Sequence, residues 1–175
     1  LETCKGTKAY IPVLLAITTG MRRSEIAGLR WSDIDFTRKE ISVRHTILEG
    51  GISKGLQPVK TQLSERIIVM PEHLILELNK LDRISDFVMG RAYNPSYIWR
   101  SMHDVILENN LPMTRFQDLR HAHATYLIMN NVPVKTVSER LGHYSTSFTQ
   151  DIYGHVLRPM QEKAASVMDE MFKKC

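Results

Sequence analysis

The spacing of apolar and polar positions changes several times along the chain, and each change marks an element. From Lys8 to Thr19 the apolar side chains Val13, Leu14 and Ile17 share one face and Gly20 supplies a stop, which predicts a helix over Lys8–Thr19. Met21–Leu29 reads as a second, short helix. The period then shortens to two: Glu40-Ile41-Ser42-Val43 alternates as a strand, and Arg66–Met70 reads as another, ended by Pro71. Between them the glycine-rich run Glu49–Gly55 predicts a turn at the tip of a hairpin. Helical spacing returns over about Glu72–Leu81, Ser96–Glu108, Asp118–Asn130 and Val134–Leu141, the last closed by Gly142. A tail from Pro159 to Lys174 places Met160, Ala164, Val167, Met168 and Met171 on one stripe. The pattern predicts a single mainly α domain with a small antiparallel β-sheet, of α+β class.

Composition narrows the partner more than the fold. The 175 residues are 43% hydrophobic and 24% charged, enough for a full core without staples. A net charge of +4 and a pI of about 9.1 favour a polyanion without identifying one. Cys4 and Cys175 lie at opposite ends and no cysteine or histidine cluster has zinc-ligand spacing. A reducing cytoplasm fits this cysteine usage. No signal peptide and no apolar run of membrane-spanning length is seen. The chain opens at Leu1 rather than Met and is read as part of a longer protein.

Five residues could act together on a phosphodiester. A guanidinium is permanently charged and its planar fork matches two phosphate oxygens, so Arg22 and Arg120 could cradle one phosphate from two sides. Arg22 follows Gly20 at a helix start, where open backbone N–H groups also favour an anion. Arg120 is placed in the first turn of its helix. Taken singly, either arginine reads more simply as a surface residue paired with Glu25 or Asp118. Tyr153 needs neighbouring positive charge or a base to become a nucleophile. His143, ten residues earlier, could donate a hydrogen bond to a phosphate oxygen, or simply sit at a helix C-terminus. Lys60, on a hairpin arm, could protonate a leaving alkoxide.

At this point the chain resembles the catalytic domain of the tyrosine recombinases, or phage integrase family, over about residues 8–155. Thr19-Gly20-Met21-Arg22-Arg23-Ser24-Glu25-Ile26 resembles the first arginine box. Lys60-Thr61 with Ser64, Arg66 and Met70-Pro71 resembles the lysine hairpin. Asp118-Leu119-Arg120-His121 with Ala124-Thr125 resembles the second arginine box. Val137–His143 with Tyr153-Gly154-His155 resembles the histidine and nucleophile box.

The resemblance implies that Tyr153 attacks the scissile phosphate, leaving a 3′-phosphotyrosyl link and a free 5′-hydroxyl. It implies that Arg22, Arg120 and His143 hold the non-bridging oxygens and that Lys60 protonates the leaving oxygen, with no cofactor and no metal. It further implies double-stranded attachment sites as partner, a tetramer of protomers on DNA joined through the C-terminal helix (about 158–174), and a separate N-terminal core-binding domain. The long hairpin resembles integrases of phages and conjugative elements, which work in the bacterial cytoplasm. One position departs from the pattern: Gln117 stands where the family has a histidine, and an amide cannot shuttle a proton. His121 and His123, one and three residues past Arg120, are expected to point elsewhere. Two alternatives stay open. One is a recombinase-like domain that binds DNA without cutting it. The other is a helix-turn-helix regulator built from Asp118–Asn130 and Val134–Leu141.

Overall fold

The computed structural model describes residues 1–48, 56–59, 65–90, 94–143, 162 and 165–171. Its helices are α1 (Tyr10–Thr19), α2 (Arg23–Gly28), α3 (Glu72–Asn79), α4 (Pro95–Glu108), α5 (Phe116–Met129) and α6 (Val134–Leu141). Its strands are β1 (Ile34–Asp35), β2 (Glu40–Val43), β3 (His45–Ile47), β4 (Leu56–Pro58) and β5 (Arg66–Val69). Residues 165–171 are also helical and their side chains are exposed. The molecule is mainly helical with small antiparallel sheets, as the hydrophobic pattern predicts.

Helix α1 is the hub. Tyr10, Pro12, Val13, Leu14, Leu15, Ala16 and Thr19 are all buried, so neighbours surround it instead of covering one face. It packs on α2, α3 and α5. Full burial of a side chain such as Leu14 or Leu15 contributes roughly 1.5–3 kcal/mol. The helix begins at Tyr10, two residues later than its periodicity predicts, because the Thr7 hydroxyl accepts the Ala9 N–H at 3.2 Å and holds that stretch in a turn.

Strands β1, β2 and β5 form one antiparallel sheet in that order, with Ile41 opposite Ile68. Both isoleucines are inaccessible, while Ile67 and Val69 face outward. β3 and β4 make a second antiparallel ladder from His45↔Pro58 to Ile47↔Leu56. Neither strand is legible in the sequence, since three residues are too few to show alternation. The predicted glycine-rich tip lies outside the described residues.

Two helix starts come earlier than expected. Asn94 caps α4 by accepting the Ser96 N–H at 3.0 Å, with Pro95 in the first helical position. α5 starts at Phe116 instead of Asp118. The Asp118 carboxylate reaches back to the Arg115 N–H at 2.9 Å, which makes it the third helical residue. Arg120 therefore occupies the second turn, not the first. α5 and α6 share a small core of Ala124, Ile128, Val137 and Leu141. Arg120 and His123 on the same helix are buried and bonded to the α1 end of the molecule. The helix pair is thus built into the domain, unlike a separate DNA-reading module.

Candidate active site

The site forms where the α1–α2 turn, the second turn of α5 and the end of α6 converge. Gly20 makes the first turn with φ +69°, and a methyl group there would come within 2.6 Å of Leu141 Cδ2 and 2.8 Å of His123 Cδ2. Glycine is required on both counts. Arg22 follows, immediately before α2. Its N–H donates to Glu25 Oε2 at 2.8 Å and its Nη1 to Glu25 Oε1 at 2.8 Å. The helix start expected to welcome an external anion is therefore occupied by the chain's own carboxylate.

Glu25 is the keystone beneath the arginines. It is 3% exposed and also bonds Arg66, whose Nη1 and Nη2 donate at 3.1 and 2.9 Å. Burial alone would raise its carboxyl, but Arg66 and Arg22 outweigh that and bring it down to about 2. Arg66 in turn donates from Nε to the Arg140 carbonyl at 2.7 Å. Strand β5 is thereby tied to α6, and both are tied to the turn that carries Arg22.

Arg120 is 6% exposed and donates to two backbone carbonyls, Gly20 O at 2.6 Å and Leu141 O at 2.7 Å. These bonds fix the plane of its guanidinium. Asp118 pairs with Arg115 at 3.1 Å, so the expected Arg120–Asp118 pair does not form. Arg22 Nη2 reaches the neighbouring carbonyl, Gly142 O, at 3.3 Å. Both guanidiniums are thus anchored at the end of α6. That end is a Schellman turn: the Gly142 N–H donates to Glu139 O and the His143 N–H to Ser138 O. The turn delivers His143 beside the two arginines. Burial, then the charges of Arg120, Arg22 and Arg66, push its imidazole down to about 4. At neutral pH it is an uncharged ring able to donate one hydrogen bond.

Arg22, Gln117 and Arg120 line one cleft of about 810 Å³, together with Arg23, Arg115 and His121. Trp99 and Phe116 form part of its apolar wall. The lining therefore combines several cationic side chains with apolar ones. His121 corrects the sequence reading: it lines this cleft and adds to the depression of His143. His123 does point elsewhere. Its Nδ1 donates to Ile17 O at 2.7 Å and its Nε2 accepts from Arg140 Nε at 3.3 Å. Burial, with Arg140 and Arg120 nearby, holds it down to about 4. Lys60 and Tyr153 lie outside the described residues.

The phage integrase family model matches residues 1–173. The chain belongs to the phage integrase family. Among curated relatives in the family, it is 31% identical to a "tyrosine recombinase XerC-like" protein of Caldanaerobacter subterraneus subsp. tengcongensis, over 98% of this chain and 51% of that protein. It is 28% identical to the ICEBs1 integrase of Bacillus subtilis, over 90% of this chain and 47% of that protein. The chain spans about half the length of these relatives. Its fold is that of the Tn1549 transposon integrase solved with transposon right end DNA, with a TM-score of 0.74 at 23% identity, over 90% of this chain and 59% of that one. It also matches the catalytic domain of the bacteriophage HP1 integrase, with a TM-score of 0.64 at 20% identity, over 94% and 86% of the two chains.

Proposed function

We propose that this chain is the catalytic portion of a site-specific DNA recombinase from a phage or conjugative element, cutting and rejoining double-stranded attachment sites in the bacterial cytoplasm. The observation that carries the reading is the convergence of Arg22 and Arg120, anchored on the backbone of two turns and lining one basic cleft, with His143 beside them. The names of relatives as recombinases and integrases support it, and one structural neighbour was solved on transposon DNA.

In this mechanism Tyr153 attacks the scissile phosphorus and the 5′ oxygen leaves, protonated by Lys60. Arg22 and Arg120 balance the charge that builds on the non-bridging oxygens. A neutral His143 donates a hydrogen bond to one of them, which its depressed titration favours over proton transfer. The energy of the broken bond stays in the phosphotyrosyl link, so rejoining needs no nucleotide, cofactor or metal ion. On DNA the chain acts as a tetramer. Val167, Met168 and Met171 are about half exposed on the C-terminal helix and supply an apolar face for the neighbouring protomer. Polar replacement of Val167 and Met171 should weaken DNA-bound multimers and leave the monomer folded.

The test is a nicked duplex selected from a randomised pool by covalent capture on the unaltered chain, resolved on a denaturing gel. The unaltered chain should carry the labelled 3′ end. Tyr153→Phe should retain binding and carry none. An adduct on the phenylalanine variant would remove Tyr153 from its role. Binding without any adduct on the unaltered chain would favour a DNA-binding domain without cleavage.

A further inference from the structure

Two guanidiniums share one carboxylate beneath the cleft. Arg22 gives Glu25 its backbone N–H at Oε2 and its Nη1 at Oε1, both at 2.8 Å. Arg66 gives Nη1 to Oε1 at 3.1 Å and Nη2 to Oε2 at 2.9 Å. Together these bonds fill the roughly four lone-pair positions of a carboxylate. The two arginines are unequally placed. The Arg66 side chain enters from β5 and is 5% exposed, whereas that of Arg22 is 41% exposed and lines the cleft. Of the two, Arg22 is the one an incoming anion can meet. Burial would push the Glu25 carboxyl up; Arg66, ahead of Arg22, brings it down to about 2, so it is ionised at neutral pH. Two cations and one anion leave the cluster with a net positive charge, and without Arg66 the charges of Arg22 and Glu25 would cancel.

We propose that Arg66 is a positioning residue that keeps the cleft cationic: it takes up the buried Glu25 carboxylate from below and so leaves the charge of Arg22 available to a DNA phosphate. That the anion is a DNA phosphate rests on the recombinase reading. A buried carboxylate whose one cation was Arg22 would hold that guanidinium at 2.8 Å and compete directly with the phosphate for it. Arg66 also fixes where the carboxylate stands. Its Nε donates to Arg140 O at 2.7 Å, and its Cδ and Nη1 pass 3.1 Å from where a Cβ on Gly142 would lie. Arg22 Nη2 reaches Gly142 O at 3.3 Å. Both guanidiniums are thus registered on the turn that ends α6, one below Glu25 and one above it. A lysine at position 66 would keep the charge and lose the two-pronged grip.

The test compares the unaltered chain with Arg66→Met, Arg66→Gln, Arg66→Lys and Arg66→Met/Glu25→Gln, using thermal melting to select those folded at the assay temperature. Methionine and glutamine both remove the charge, and glutamine keeps a donor for Glu25, so one serves if the other does not fold. The first readout is the salt dependence of binding to a duplex oligonucleotide, which counts phosphate contacts whether or not the DNA is cut. Either neutral variant should lower the slope of log K against log salt by about 0.9, the share of one contact. Arg66→Met/Glu25→Gln should restore the slope, because removing both charges returns the cluster to its original net charge, and Arg66→Lys should keep it. The second readout is single-turnover adduct formation on the selected nicked duplex. It should be about 10-fold slower for the neutral variants, part of the loss expected from removing Arg22 altogether, and within about threefold of the unaltered chain for the double variant. An arginine that only held the fold together would lower the melting temperature and leave the slope of the folded protein where it was. An unchanged slope in a folded neutral variant therefore overturns the proposal, as does a lowered slope that Glu25→Gln fails to restore. If the unaltered chain forms no adduct with any duplex, the recombinase reading falls, while the slopes still decide whether Arg66 sets the charge of the cleft.

Discussion

Replacing Arg120 by alanine removes a guanidinium that holds two backbone carbonyls at 2.6 and 2.7 Å in a buried position. Each orphaned carbonyl costs about 1–3 kcal/mol, so Arg120→Ala should lower the melting temperature as well as the rate. Arg22→Ala should act differently. Arg22 is half-buried, and Glu25 keeps its buried partner Arg66 when it is gone. Single-turnover cleavage should fall about 10²–10³-fold for either variant, with the larger stability loss in Arg120→Ala. Equal melting temperatures would show that the carbonyl anchors do not contribute. The residues that touch the phosphate in this reading were legible because they sit in short local motifs. Glu25 and Arg66 were not legible as a pair, since 41 residues separate them and only the fold brings them together. His121 is not legible as a cleft residue, because a one-residue step from Arg120 turns its side chain by about 100° around the helix.

At the scale of elements, the turns control the site as much as the helices do. Gly20 and Gly142 both adopt positive φ, +69° and +66°. A Cβ on Gly20 would meet Leu141 and His123, and one on Gly142 would lie 3.1 Å from Arg66 Cδ. Gly20→Ala combines a left-handed backbone cost of about 1–2 kcal/mol with overpacking of about 1–3 kcal/mol. The expected result is a loss of roughly 2–5 kcal/mol in denaturant unfolding, with adduct formation impaired at temperatures where the protein remains folded. Gly142→Ala should be milder, because the arginine stem it meets can shift. Reversal of that order would mean the Gly20 turn relaxes more freely than its contacts allow. Both glycines are legible as helix stops in the sequence, and both cap their helices in the left-handed conformation. Helix boundaries were less legible: α5 gained its first turn from a back-reaching carboxylate that resembles an ordinary surface aspartate in the sequence. The short ladder of β3 and β4 carries no periodic signal at all.

For the whole molecule, the same convergence that builds the cleft sets its response to acid. His123 bridges α5 to α1 and α6 by donating to Ile17 O and accepting from Arg140, an arrangement only the neutral ring can make. Its folded titration is depressed from 6.5 to about 4. Between those values the unfolded chain binds more protons than the folded one, so stability rises with pH across this window and is lost as pH falls from about 6.5 toward 4. At 6% exposure the lost contribution is roughly 3 kcal/mol, a large share of a typical ~5–15 kcal/mol total. His143 acts in the same direction but is partly exposed and should add less. Glu25 extends the loss at lower pH. Its carboxylate stabilises the fold above about 4.5, and that contribution disappears as pH falls through about 2. Urea unfolding at pH 7, 5.5 and 4 should therefore show stability declining before ordinary carboxylates titrate. His123→Gln should flatten the decline between pH 6.5 and 4 while starting from a lower value at pH 7. A variant with the same slope as the unaltered chain would locate the acid sensitivity elsewhere, and the junction of α1, α5 and α6 would not be its source.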